Sequence, residues 1–175
     1  MAAMTEPALV HAALPPGTPA PDFRLNTTSW DEWVSLSDYR GRHVILVFYP
    51  ADWSPDCGDQ LTLYNEILPE FEHLGATVLG ISVENVFSHR AFSDSRHFQF
   101  PILADFEPKG EVARRYGVYR DDCGMNHRAL FIVDRNGIIA WNHVAPWHIV
   151  PGADGILTAL EAMAEGRQPE WDGGR

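Results

Sequence analysis

The sequence is poor in cysteine. Cys57 and Cys123 are the two cysteines in 175 residues, too few for a disulfide scaffold. Neither sits in a Cys-x-x-Cys pair, so structural zinc and a thioredoxin-type dithiol motif are both unsupported. Basic residues are also scarce: 13 Lys and Arg stand against 24 Asp and Glu, for a net charge of −11. With no basic cluster to offset that balance, a nucleic-acid or anionic-membrane surface is not expected. No Lys or Arg precedes Arg24, so the charged start of a secretory signal is lacking, and no apolar run reaches the length of a membrane span. A reducing cytoplasm is the expected compartment. The eight histidines form no recognised cluster with cysteine or carboxylates, so no metal site is expected. Internal repeats are lacking too.

The residues that are present describe one α/β domain. A hydrophobic content of 45% over 175 residues is enough for one proper core. Residues 1–16, rich in Ala and Pro, read as a flexible N-terminal arm, with order beginning at Gly17, a domain over 17–166 and a C-terminal tail over 167–175. Short strands are expected at Phe23–Leu25 and Trp33–Leu36, and apolar runs predict buried strands at His43–Tyr49 and Ala76–Ser82. Pro69 should kink or restart the helix that follows Cys57, and Gly75 should end it. Phe87–Phe98 reads as a polar surface helix, Phe100–Asp105 as a short strand and Lys109–Tyr116 as a third helix. Asn136-Gly137 between Arg128–Asp134 and Ile138–Val144 signals a hairpin. Ile156, Leu157, Leu160 and Met163 mark an amphipathic final helix. Strands alternating with helices and closing in a hairpin predict an α/β sandwich around a mixed sheet.

One stretch concentrates chemistry: Tyr49-Pro50-Ala51-Asp52-Trp53-Ser54-Pro55-Asp56-Cys57. It links the His43–Tyr49 strand to a helical pattern in which Cys57, Leu61, Tyr64, Leu68 and Phe71 recur at intervals of three and four. Cys57 therefore opens a helix, where unpaired N–H groups and the aligned peptide dipoles favour a thiolate, the form of cysteine that acts as a nucleophile. Buried free cysteines are often small core hydrophobes. A structural cysteine, however, has no need of two prolines, a hydroxyl three residues earlier and a helix start. Ser54 before Pro55 also fits a helix cap with proline at the first helical position, a role compatible with ligand binding. Asp56 places a carboxylate beside Cys57 that opposes thiolate formation, unless the helix dipole or a basic partner neutralises it. Gly58 predicts a loose first turn.

Pro50-x-x-x-Ser54-x-x-Cys57 resembles the peroxidatic motif of peroxiredoxins, and Arg128 in Arg-Ala-Leu-Phe-Ile-Val-Asp resembles that family's second signature. The resemblance runs from about Gly17 to Ala164 through Ala20-Pro21-Asp22-Phe23, Leu36-Ser37-Asp38-Tyr39-Arg40-Gly41 and Tyr116-Gly117-Val118. Leu68-Pro69-Glu70-Phe71-Glu72 and Ala104-Asp105-Phe106 are most similar to the alkyl hydroperoxide reductase E type. The resemblance implies a thioredoxin-like fold and reduction of hydrogen peroxide or organic hydroperoxides without metal or organic cofactor. Its partners would be the peroxide substrate, a thiol reductant (a thioredoxin-like protein or a low-molecular-weight thiol) and a second copy in a homodimer, with apolar area around Tyr49 and Trp53 as the contact. Cys57 would attack the peroxide and become a sulfenic acid. Arg128 would hold thiolate and peroxide oxygen, Ser54 would hydrogen-bond the peroxide, and Pro50 would shield the thiolate from water. Without the resemblance, Arg128 reads as an ordinary surface or salt-bridged arginine. The resemblance implies that Gln60, Trp53 and Tyr49 would support the pocket or a dimer contact from behind, while aromatic residues beside a strand also read as core.

Two alternatives stay open at this point. Cys123, in the loop Arg120–Asn126, is either a resolving cysteine that forms an intrachain disulfide with oxidised Cys57 or an inert residue beside two acids. The chain is either a peroxidase that turns over or a redox sensor or chaperone switched by Cys57 oxidation.

Overall fold

The computed structural model describes residues 12–173. In chain order its elements are β1 (Arg24–Asn26), β2 (Trp33–Ser35), a 3-10 turn (Leu36–Tyr39), β3 (His43–Phe48), α1 (Pro55–Glu66), α2 (Leu68–His73), β4 (Ala76–Ser82), α3 (Val86–Arg96), β5 (Ile102–Ala104), α4 (Glu111–Arg115), β6 (Tyr119–Arg120), β7 (Met125–Asn126), β8 (Ala129–Val133), β9 (Ile139–Val144) and α5 (Asp154–Ala164). Seven strands form one sheet in the order β2-β1-β5-β4-β3-β8-β9. The β3, β4 and β5 pairings are parallel, and β8 on β3, β9 on β8 and β1 on β5 are antiparallel. This is the mixed α/β sandwich expected.

β3 lies inside the sheet because its side chains can be buried on both faces. Alternation sends Ile45, Val47 and Tyr49 into one core, with Leu61 and Tyr64 of α1, Phe71 of α2, Phe92 of α3 and Ile156 and Leu160 of α5. Val44, Leu46 and Phe48 enter the other, with Val112 and Ala113 of α4 and Phe131 of β8. The register pairs Phe48 with both Ile81 and Ala129. The carboxyl end of β3 is thereby fixed from two sides just before the turn that leads to Cys57. Pro69 restarts the helix as expected: α1 stops at Glu66, Ile67 leaves helical geometry at φ −104° and ψ 16°, and α2 begins at Leu68.

Three expectations change. α3 is no mere surface helix: Asn85 caps it through the N–H groups of Phe87 and Ser88, and its inner face buries Val86, His89 and Phe92. Polar letters hid that face because its central buried residue is a histidine. The loop around Cys123 is a two-stranded ribbon, with Tyr119 opposite Asn126 and Arg120 opposite Met125. Order also begins before Gly17. Ala13 and Leu14 pack on the second core, Leu14 N–H donates to Tyr116 O at 3.2 Å, and the buried Asn142 amide donates to Leu14 O at 2.6 Å. The same Asn142 accepts from the Trp171 indole at 2.8 Å, so one side chain ties both ends of the described chain to β9. The arm's first eleven residues lie outside the described range.

Candidate active site

Ser54 is the N-cap of α1, in extended geometry at φ −64° and ψ 128°, and Pro55 takes the first helical position. There the missing N–H costs nothing and the fixed φ suits the helix. Cys57 is the third helical residue, so its N–H belongs to the group that no earlier carbonyl can satisfy. The Ser54 hydroxyl makes no capping hydrogen bond. Its main-chain carbonyl instead accepts from Gly58 N–H at 2.9 Å, leaving the hydroxyl for another partner.

Arg128 lies at the head of β8, where Ala145 N–H holds its carbonyl at 2.9 Å. Although both residues are buried, the Arg128 Nη1 donates to Cys57 Sγ at 3.3 Å and to Gln60 Oε1 at 3.3 Å. The same guanidinium faces Asp56 Oδ2 at 4.0 Å. Asp56 therefore has the basic partner that offsets its charge, and its side chain is 70% exposed to water, which screens the rest. The Arg128 Nε–H is buried without a protein partner among the described residues. A buried unmet donor is costly, and this one stands in a guanidinium already bonded to the Cys57 sulfur.

Behind Arg128 runs a chain of supports. Gln60 donates to the Tyr64 hydroxyl at 3.1 Å, and Tyr64 donates to Pro151 O at 3.0 Å. Burial pushes the Tyr64 phenol up to about 12 against the lowering effect of that Gln60 bond, so it stays a donor. Gln60 thus fixes Arg128 on α1 itself, the helix that carries the cysteine.

Of the two aromatic residues expected around an exposed contact, Trp53 lies at the surface and Tyr49 does not. Tyr49 is fully buried, so it forms no part of an exposed contact. Its hydroxyl donates to Asp52 Oδ1 at 2.7 Å, and burial, then the Asp52 charge, raises its phenol well above the ordinary value. Trp53 is 57% exposed and turns away along α3, with its ring 5.3 Å from that of Phe92 and its indole donating to Ser88 Oγ at 3.3 Å. Its backbone is left-handed, at φ 66°, a conformation that costs a bulky residue roughly 1–3 kcal/mol and persists where the surroundings impose it. Asp52, Ser88 and His89 were missed in the sequence. Asp52 lies two residues before Ser54, and that neighbourhood was the signal available.

Cys57 and Cys123 are both free thiols, Cys57 buried and Cys123 exposed. The ribbon carrying Cys123 reaches toward the site indirectly: Arg120 stacks 4.1 Å above Trp147, in the segment that follows the Ala145 contact to Arg128. Gly58 is not loose. A Cβ there would overlap the Arg96 guanidinium, which lies across the first turn of α1 and donates to Asp59 Oδ1 and Thr62 Oγ1, each at 3.3 Å. Among the described residues no group of three or more His, Cys, Asp or Glu is arranged to hold a metal ion, and no helix is long and apolar enough to cross a membrane.

Comparison with known proteins reaches the same place by another route. The AhpC/TSA family model matches residues 16–142. The chain is 35% identical over 153 residues to Peroxiredoxin 2 of Thermoplasma acidophilum, covering 84% of this chain and 75% of the relative. It is 40% identical over 124 residues to alkyl hydroperoxide reductase E of Mycobacterium tuberculosis, covering 70% of this chain and 80% of that protein. Among solved structures, the peroxidoxin BcpB of Mycobacterium tuberculosis superposes with a TM-score of 0.75 at 27% identity, over 85% of this chain and 97% of that one. Sequence and fold agree, and the chain belongs to the AhpC/TSA family: it is a peroxiredoxin, an enzyme that reduces peroxides with a thiol.

Proposed function

We propose that Cys57 is the peroxide-reducing cysteine and that Arg128, Ser54 and Pro50 complete its site, acting on hydrogen peroxide and organic hydroperoxides. The observation that carries this reading is the 3.3 Å contact of the Arg128 guanidinium with the Cys57 sulfur at the start of α1. The thiolate attacks the terminal oxygen of the peroxide in line, an S–O bond forms, the O–O bond breaks, and Cys57 becomes a sulfenic acid. The departing oxygen leaves with the electron pair of the broken bond and takes a proton to become water or an alcohol. Charge builds on that oxygen, and Arg128, cationic in both states, meets it with a donor already in place. Ser54 offers a hydroxyl that the helix cap does not use. The buried Pro50 presents a ring with no donor and keeps water from the sulfur.

The sulfenic acid condenses with a first thiol, either the ribbon's Cys123 or an external one, losing water and forming a disulfide. A further external thiol, of a thioredoxin-like protein or a low-molecular-weight thiol, then reduces that disulfide and restores the Cys57 thiol. No observation favours a sensor or chaperone over turnover. The test of the site is the second-order rate of Cys57 oxidation by hydrogen peroxide, followed by tryptophan fluorescence. Arg128→Ala should slow it by about 10²–10³-fold, the usual cost of removing a preorganised donor. A rate within a few-fold of wild type would remove Arg128 from the transition state.

The homodimer is assigned to an aromatic surface beside the site. Trp30 and Phe87, 55% and 66% exposed, meet edge to face at 5.9 Å, and Trp53 lies next to them through Ser88. Exposed aromatic clusters of this kind mark contacts between proteins. Phe87→Asp should shift the sedimentation of the protein from dimer to monomer; unchanged sedimentation would place the contact elsewhere.

A further inference from the structure

We propose that Asp52 and His89 form a buried clamp that sets the geometry of the peroxide-binding turn, which makes them positioning residues for peroxide reduction. The proposal rests on reading Cys57, Ser54 and Pro50 as the peroxide site. Asp52 belongs to that turn, between Pro50 and Ser54, and its side chain and that of His89 are wholly shielded from water. Asp52 Oδ2 lies 2.8 Å from His89 Nδ1, and His89 Nε2 lies 3.1 Å from the carbonyl of Leu103 on β5. A carbonyl can only accept, so Nε2 carries a hydrogen. A second proton then lies between Nδ1 and Oδ2, because two bare lone pairs would repel at that separation. The pair holds one shared proton and is neutral as a unit, the form in which such groups tolerate burial.

The carboxylate has two further partners. Tyr49 donates to Oδ1 at 2.7 Å and Ser88 donates to Oδ2 at 2.9 Å. One side chain of the turn is thus bonded to the end of β3, to two residues of α3 and, through His89, to β5. Anchorage of this extent has a visible purpose at the next residue. Trp53 is held left-handed at φ 66°, and this reversal directs the chain from Asp52 to the extended Ser54 and into α1. Ser88 holds both sides of the bend, donating to Asp52 and accepting from the Trp53 indole. If the clamp is released, Trp53 can relax to an ordinary backbone, and the Ser54 hydroxyl moves relative to the Cys57 sulfur. Misplacement by about 1 Å is enough to cost about 10²-fold in rate.

The test compares Asp52→Asn, His89→Gln and the milder Ser88→Ala with wild type, each checked for cooperative thermal unfolding. Two rates are measured on each: oxidation of Cys57 by hydrogen peroxide, and alkylation of Cys57 by iodoacetamide, which does not use the Ser54 cradle. The clamp predicts a loss of about tenfold to a hundredfold in peroxide rate for the Asp52 and His89 variants and a smaller loss for Ser88→Ala. Alkylation should stay within about threefold of wild type or rise. Peroxide rates equal to wild type in folded variants would overturn the proposal. So would a parallel fall of both rates, since the pair would then act on the cysteine or the whole fold rather than on the turn. A wild-type protein inert to peroxide would instead overturn the reading of the site on which the clamp rests.

Discussion

Arg128 and Cys57 touch at 3.3 Å across 71 residues of sequence, and nothing local in either segment announces that meeting. The thiol was legible because a helix start after a buried strand is visible in the letters His43 to Cys57. The arginine was legible through family resemblance alone, since its partner is supplied by strand pairing between β3 and β8. Asp52 had only its neighbourhood to Ser54 to mark it, and its pairing with His89 was not legible: they meet across 37 residues in a buried contact, and a histidine in a polar helix gives no sign of facing inward. Ser54 offers a sharper case. Its hydroxyl fits a helix cap by sequence, yet makes no cap hydrogen bond. Ser54→Ala should therefore leave the melting temperature within about 2 °C of wild type, where loss of a real cap would cost about 1 kcal/mol. The peroxide rate should fall by about tenfold or more. A lowered melting temperature with an unchanged rate would make Ser54 a cap after all.

At the scale of elements, the strand-turn-helix unit β3-α1 was readable because three signals coincide: an apolar run, Ser54-Pro55 and a three-four periodicity. The break at Pro69 followed from the missing N–H. The β6-β7 ribbon was not readable, because two-residue strands carry too little alternation. The junction between α1 and α3 was misread for a different reason. Gly58 looked like looseness, but the space that it leaves is filled by Arg96, a residue 38 positions later. This predicts a coupled pair. Gly58→Ala gains up to about 1 kcal/mol of helix propensity but displaces a guanidinium whose exposed contacts are worth up to about 1 kcal/mol, so its net effect on urea unfolding should be small. In an Arg96→Ala background the same change should stabilise by about 1 kcal/mol. Equal effects in both backgrounds would show that Arg96 does not occupy the first turn in solution.

On the scale of the whole molecule, one sheet with a core on each face delivers the carboxyl end of β3, the head of β8 and the start of α1 to the same place. The thiol is buried there beside a fixed cation, and the second thiol is exposed on a separate ribbon. The net charge of −11 is silent about this site, where the Arg128 guanidinium faces the Cys57 sulfur. Leu14 and Trp171, near the two ends of the described residues, meet on Asn142, a closure that the Ala- and Pro-rich start did not suggest, because a few main-chain and amide hydrogen bonds leave no pattern in composition. The proposed chemistry centres on oxidation of one sulfur, that of Cys57. The most direct test is intact-protein and peptide mass spectrometry after one equivalent of hydrogen peroxide, on wild type and Cys123→Ser. The account predicts oxidation at Cys57 in both: one added oxygen where an external thiol must finish the cycle, or a Cys57 to Cys123 disulfide in wild type that gives way to oxidised Cys57 in the variant. Protein that consumes no peroxide, or takes up oxygen at Cys123 while Cys57 stays reduced, would contradict it.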